Sequence, residues 1–135
     1  MNLPNFLSLK IKLSILLLAT LLSACSLVET KPDSSQLVHH VVFVWLKDSA
    51  NMDHRETIID TSRALKQIPG VLSITAGQPV LSERKIVDDS FDVGITFTFS
   101  SVDEMRAYLK HPQHVKAVKE VLQPLISKIV VYDYK

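Results

Sequence analysis

The stretch "LVHHVVFVWLK", residues 37–47, is read first as a β-strand and then as a strand with two apolar faces. Its β-branched and aromatic residues suit a pleated backbone. Alternate side chains of a strand point to opposite faces. Val38, Val42, Val44 and Leu46 therefore share one face with His40, while Val41, Phe43 and Trp45 share the other with His39. A strand with one solvated face alternates apolar and polar residues, so this one is expected to be covered on both sides.

Outward from that strand the pattern changes period. From about Asn51 to Ile68, the residues Ile58, Ser62, Leu65 and Ile68 fall on one helical face, and Pro69-Gly70 ends the helix. Val71 to Gly77 is a second strand. The charged loop "SERKIVDDS" leads to "FDVGITFTF", where Phe91, Val93, Ile95, Phe97 and Phe99 alternate with Asp92, Gly94, Thr96 and Thr98. Ser101 and Glu104 form a capping box that announces a second helix, with Val102, Met105 and Leu109 as its apolar stripe. Pro112 restarts a helix at a first-turn position it tolerates, carrying Val115, Val118, Leu122 and Leu125. Lys128 to Tyr134 is a last strand, again apolar on both faces.

The order βαββαβ predicts an α+β fold, a ferredoxin-like sandwich in which helices cover one face of the sheet. The first and last strands need cover on the other face too, and the chain has no further elements to supply it. A second copy is the economical cover, so a homodimer packed sheet against sheet is expected, closing into a dimeric α/β barrel.

The chain has 135 residues, enough for one domain. Lys10 and Lys12 precede an apolar run from Leu13 to Leu22, too short to cross a bilayer as a helix. A positive start, a short apolar core and small residues before a cleavage point describe a secretory signal. Leu22-Ser23-Ala24-Cys25 resembles the lipobox of bacterial lipoproteins. That resemblance implies cleavage after residue 24, lipidation of Cys25, a flexible tether over 25–36 and a domain over 37–135, held at the membrane of a bacterial cell envelope. Cys25 is the only cysteine, which excludes an internal disulfide and cysteine ligands or nucleophiles in the domain. The mature part holds 13 basic against 14 acidic residues with no basic stripe, so nucleic acid is not an expected partner.

"HVVFVWLK" from His40, "IPGVLSITAGQ" from Ile68, "FTFSSVDEMRAYLKHPQH" from Phe97 and "IVVYDY" from Ile129 together resemble the stress-responsive dimeric α/β-barrel family, known as Dabb. The resemblance implies a ferredoxin-like subunit whose dimer closes two sheets into a barrel. A few plant members are polyketide cyclases using a histidine and a tyrosine in a pocket between sheet and helices. The positions of that pattern fall here on His40, Tyr108 and His114. Val93 departs from it, standing where many members carry a histidine.

Read from the residues, His114 lies in the apolar stripe of its helix and is the candidate general base. The other reading is a buried histidine that donates to a backbone carbonyl. Tyr108 borders the preceding stripe, either as a donor to a developing oxyanion or as a core-edge aromatic with a wet hydroxyl. His40 is the candidate support that orients His114, or simply a polar strand end. His39 points to the opposite face, His54 reads as solvated surface, and His111 as a cationic cap on the helix before it. No metal site and no cofactor is implied: ligand spacing is absent and the three glycines build no phosphate loop. The expected function is binding of a small hydrophobic or carbonyl-bearing molecule. A non-catalytic structural or stress-related envelope module, and a cyclase-like or monooxygenase-like enzyme using His114 and Tyr108, stand as alternatives. "YLKHPQH" becomes a site only if an open cavity lies beside it.

Overall fold

The computed structural model describes residues 36–135. The expected signal segment 1–24, Cys25 and the tether as far as residue 35 lie outside the described residues. Strand β1 spans Val38–Leu46, helix α1 Met52–Ala64 with a 3₁₀ turn at Leu65–Gln67, and β2 Val71–Gly77. Strand β3 spans Val93–Phe99, α2 Val102–Lys110, α3 Pro112–Ala117, and β4 Ile126–Tyr134. The strands form one antiparallel sheet in the order β2-β3-β1-β4. This is the predicted α+β ferredoxin-like order, with β1 central and β4 at an edge.

The period-2 reading of β1 holds: Val38, His40, Val42, Val44 and Leu46 are buried, and the residues between them are half-buried. They meet Val93, Ile95, Phe97 and Phe99 of β3 and the inner face of α1, Ile58, Ile59, Ser62 and Leu65. On the outer face Phe43 packs on Phe91 at 4.8 Å between ring centres and on Tyr132 at 6.4 Å. The Lys128 ammonium sits 4.0 Å over the Trp45 ring, a cation–π contact that shields apolar area without filling it. Tyr132 and Tyr134 remain exposed.

Caps end the helices as their residues dictate. Asn51 Oδ1 accepts from the His54 N–H, and Ser101 Oγ from the Glu104 N–H, each satisfying a donor with no intrahelical partner. Gly70 adopts φ 87°, a left-handed conformation that demands glycine, and a Cβ there would also press on the Glu104 side chain. His111 joins two helices: its N–H donates to the Tyr108 carbonyl, and its Nδ1 accepts from the Gln113 N–H. His111 thus caps the end of α2, as the sequence reading has it, through its backbone, and the start of α3 through its ring. His54 is not solvated surface, contrary to the sequence reading; it is half-buried, and its Nδ1 is buried without a partner among the described residues.

Two further findings concern burial. Val115 is 50% exposed, while Ala117 is buried in its place. The cause lies downstream, where residues Val118–Leu122 form a π-helical turn in which the Gln123 N–H reaches Val118 O. Pro124 has no N–H to give Glu120 and its ring crowds that carbonyl, so the helix widens. Lys47 then closes the end, its Nζ donating to the Pro124 carbonyl at 2.7 Å and to Gln123 at 3.3 Å. Asp92, one of the residues that alternate with the apolar row of this stretch, is only 4% exposed. It precedes the first β3 residue, and its carboxylate turns beneath α1. There it accepts from the Leu46 N–H at 2.7 Å, from Ser49 Oγ at 3.2 Å and from Arg55 at 2.6 Å. Burial alone raises its pKa, but these donors outweigh it and the net shift is downward.

Asp92→Ala leaves the Arg55 guanidinium and the Leu46 N–H without their acceptor. It is expected to lower stability by about 3–5 kcal/mol, read as a shift of the urea midpoint at constant slope. A loss under about 1 kcal/mol, the scale of an exposed ion pair, contradicts the account of this pair.

Candidate functional site

Between the helix-facing side of the sheet and the helices lies a cavity of about 180 Å³. Val42 and Ile95 form its floor and Leu109, Ala117, Val118 and Leu122 its roof. It opens toward the edge strand, where Ile129 and Val131 line it and remain exposed. The volume decides what fits. Drug-sized ligands need roughly 300 Å³ or more, whereas an apolar cavity of roughly 150 Å³ holds benzene. This one accepts a molecule of about one ring.

Four polar side chains line it: His40, Ser62, Tyr108 and His114. The Pro112 restart that ends α2 and begins α3 folds His114 back under Leu109, and Nδ1 lies 3.0 Å from the Leu109 carbonyl. A carbonyl only accepts, so Nδ1 carries the hydrogen and Nε2 carries the lone pair. Burial lowers the pKa of this imidazole, and the nearby His40 and His111 act in the same direction. The bond to Leu109 opposes them, and the net shift is down. At neutral pH His114 is therefore an uncharged base. His114 donates to backbone at one nitrogen, as the second of the two readings has it, and also lines the cavity.

Tyr108 is 1% exposed, which corrects the expectation of a wet hydroxyl at the core edge. Its ring packs on His114 at 4.6 Å, on Phe97 at 5.1 Å and on Phe99 at 5.2 Å. No hydrogen bond of its hydroxyl to a described residue is present, and burial alone raises its pKa far above the usual phenol range. The group stays protonated, with its hydrogen free to donate.

His40 lies beside both, its ring 6.3 Å from that of Tyr108 and 5.8 Å from Phe97. It does not orient His114, contrary to the sequence reading, because its Nδ1 is bound 2.6 Å from Asp133 Oδ1. The β1–β4 register sets His40 directly opposite Asp133. Asp133 is the residue that sequence reasoning missed. The signal was present in the alternation: Ile129, Val131 and Asp133 share one face of β4, so a lone acid on one apolar row meets a lone histidine on its neighbour. His39 is on the outer face as expected, against Tyr134 and Thr98. The structure thus brings His40, Tyr108 and His114 to one cavity and leaves His39, His54 and His111 outside it.

Comparisons with known proteins agree on the scaffold. Residues 38–135 match the family model of the stress responsive A/B barrel domain. A stress-response A/B barrel domain-containing protein of Arabidopsis thaliana is 27% identical over 109 residues, which are 81% of this chain and 40% of the relative. The chain thus spans less than half of that relative's length. Among solved structures, a hydroxynitrile lyase of Passiflora edulis is 26% identical, with TM-score 0.64, covering 77% of this chain and 94% of the lyase. A dimeric ferredoxin-like protein of unknown function from Thermobifida fusca is 21% identical, with TM-score 0.59, covering 73% of this chain and 89% of its own.

The lowered pKa of His114 has a sign that can be measured. The unfolded chain takes up the proton near pH 6.5 and the folded chain only at lower pH. Stability from the neutral ring is therefore complete above pH 6.5 and falls as the pH drops below it. Urea unfolding from about pH 7.5 down to about pH 5 is expected to show this loss, and His114→Asn to show a smaller one. Equal slopes for both proteins overturn the buried, neutral assignment.

Proposed function

Because the chain belongs to the stress responsive A/B barrel domain family, we propose that it is a small-molecule protein whose cavity binds a ring-sized, mostly apolar, carbonyl-bearing ligand and moves a proton on it. The observation that carries this reading is the pairing of a free imidazole lone pair with a free phenol hydrogen in one mostly apolar cavity. His114 Nε2 is the general base, taking a proton from the atom beside the carbonyl. Tyr108 donates a hydrogen bond to the carbonyl oxygen as negative charge grows there, where exclusion of water makes such a donor effective. His40, held by Asp133, is the second imidazole facing the ligand. One similar structure is itself an enzyme, a hydroxynitrile lyase, which supports chemistry on this scaffold without specifying the substrate here.

Two further parts of the reading concern location and assembly. The outer face of the sheet, where Val41, Phe43 and Trp45 are half-buried and Tyr132 is exposed, has the apolar composition of one side of a sheet-on-sheet interface. A similar structure is that of a dimeric protein, which supports a homodimer closed through this face. The lipobox-like Leu22–Cys25 supports cleavage after residue 24 and attachment of the domain through lipid on Cys25 to a membrane of the bacterial cell envelope.

Cyclohexanone fits the cavity and exchanges its α-hydrogens slowly in D₂O. The protein is expected to accelerate that exchange, and His114→Ala and Tyr108→Phe to reduce the acceleration by roughly 10²-fold or more. Saturable binding with no acceleration refutes the catalytic part and leaves a binding module. For the dimer, native mass spectrometry is expected to give twice the subunit mass, and Phe43→Asp a folded monomer. A monomeric unsubstituted protein refutes the interface.

A further inference from the structure

Hydrogen-bond arithmetic inside the cavity goes beyond the proton-transfer reading. Each polar side chain that lines it has one hydrogen already committed, save one. His114 gives its Nδ1 hydrogen to Leu109 O at 3.0 Å. Ser62 gives its only hydrogen to Ile58 O at 2.8 Å. His40 gives its Nδ1 hydrogen to Asp133 Oδ1 at 2.6 Å. What remains facing the space is acceptor capacity: Nε2 of His114, Nε2 of His40 in its Nδ1–H tautomer, and the lone pairs of Ser62 Oγ. Tyr108 supplies the one free hydrogen among the described lining residues. A ligand that only accepts, such as a simple ketone, satisfies Tyr108 and offers no hydrogen to the imidazole nitrogens, which is costly where it displaces water from an apolar cavity.

We propose that the cavity selects an uncharged, ring-sized molecule carrying a hydroxyl donor, and that Asp133 is the positioning residue that makes it do so by fixing the His40 tautomer. A hydroxyl turned to the imidazoles and a carbonyl turned to Tyr108 satisfy every free polar atom at once. An anionic ligand meets acceptors on two sides and is rejected. Asp133 has the geometry for its role. It stands across the β1–β4 register from His40, and its side chain is 44% exposed while that of His40 is 8% exposed. A carboxylate oxygen only accepts, so this contact places hydrogen on Nδ1 of His40. A one-residue slip of β4 would send Asp133 to the outer face.

This inference rests on the binding reading above, and one titration separates their failures. The purified full-length protein is titrated by NMR with toluene, anisole, phenol and benzoate. Phenol is expected to bind about tenfold tighter than anisole or toluene, the worth of one net hydrogen bond, and benzoate not at all. In Asp133→Ala the phenol advantage is expected to shrink about threefold or more with toluene binding unchanged, and ¹⁵N-edited imidazole spectra to show His40 losing its single tautomer. Asp133→Glu keeps a carboxylate, which only accepts, and is expected to retain both, which guards against a folding defect in the alanine variant. Toluene binding with no phenol preference overturns the donor rule but leaves the binding site intact. A full phenol preference in Asp133→Ala overturns the role of Asp133. Binding of none of the four overturns both this inference and the reading it rests on.

Discussion

His40 occupies one of five inward positions on the central strand, in a row otherwise made of Val38, Val42, Val44 and Leu46, and a buried imidazole has to be partnered. Left unpaired, it would cost about 1–3 kcal/mol; a valine there would complete the core instead. The partner comes from the neighbouring strand, where the antiparallel register delivers Asp133. Much else depends on that pairing. Because an acid on a helix-facing row must reach water, β4 stays at the sheet edge with that row half-open. Ile129 and Val131 stay exposed with it and border the cavity mouth. The space between sheet and helices is then an accessible cavity with polar atoms in it.

The roof is shaped by two prolines. Pro112 breaks the helical run so that His111 caps one helix with its backbone and starts the next with its ring. That turn drops His114 under Leu109 and packs it on Tyr108. Pro124 removes a donor and widens the preceding turn into a π-helix, a feature that often marks functional sites. The wider turn brings Val118 and Leu122 to the cavity and leaves Val115 in solvent. Lys47, beyond the end of β1, ties off the freed carbonyls. The cavity thus owes its presence to irregular backbone held at both ends by specific hydrogen bonds, and its small size to Leu109, Val118 and Leu122.

Reading the residues alone recovers the scaffold because period-2 and period-3.6 patterns are strong over β1, β3 and α1, and because glycine and proline punctuate them. The ends and caps follow for the same reason, Asn51 excepted. The misreadings share a cause: each depends on a neighbour distant in sequence. Asp92 looks like the polar half of an alternation until Arg55 and the Leu46 N–H meet it. His54 looks exposed until the fold buries one side of it. Val115 sits at ideal helical spacing, and only the π-turn rotates it away. At the site, the three candidate side chains were legible from their apolar stripes. Asp133 was not singled out, since its meaning comes from a cross-strand register that no single segment displays. The direction of each ring nitrogen belongs to the same class, because it is set by what the other nitrogen touches.

The central claim is that an open, mostly apolar cavity lies between the sheet and α2–α3, with His40, Tyr108 and His114 on its wall. A crystal of the protein pressurised with xenon tests it most directly, since xenon enters apolar cavities of this size without needing hydrogen bonds. The account predicts one xenon site between Val42, Tyr108 and Val118, with His40 still bound to Asp133. Xenon-free density, with side chains closed over the space, would contradict it.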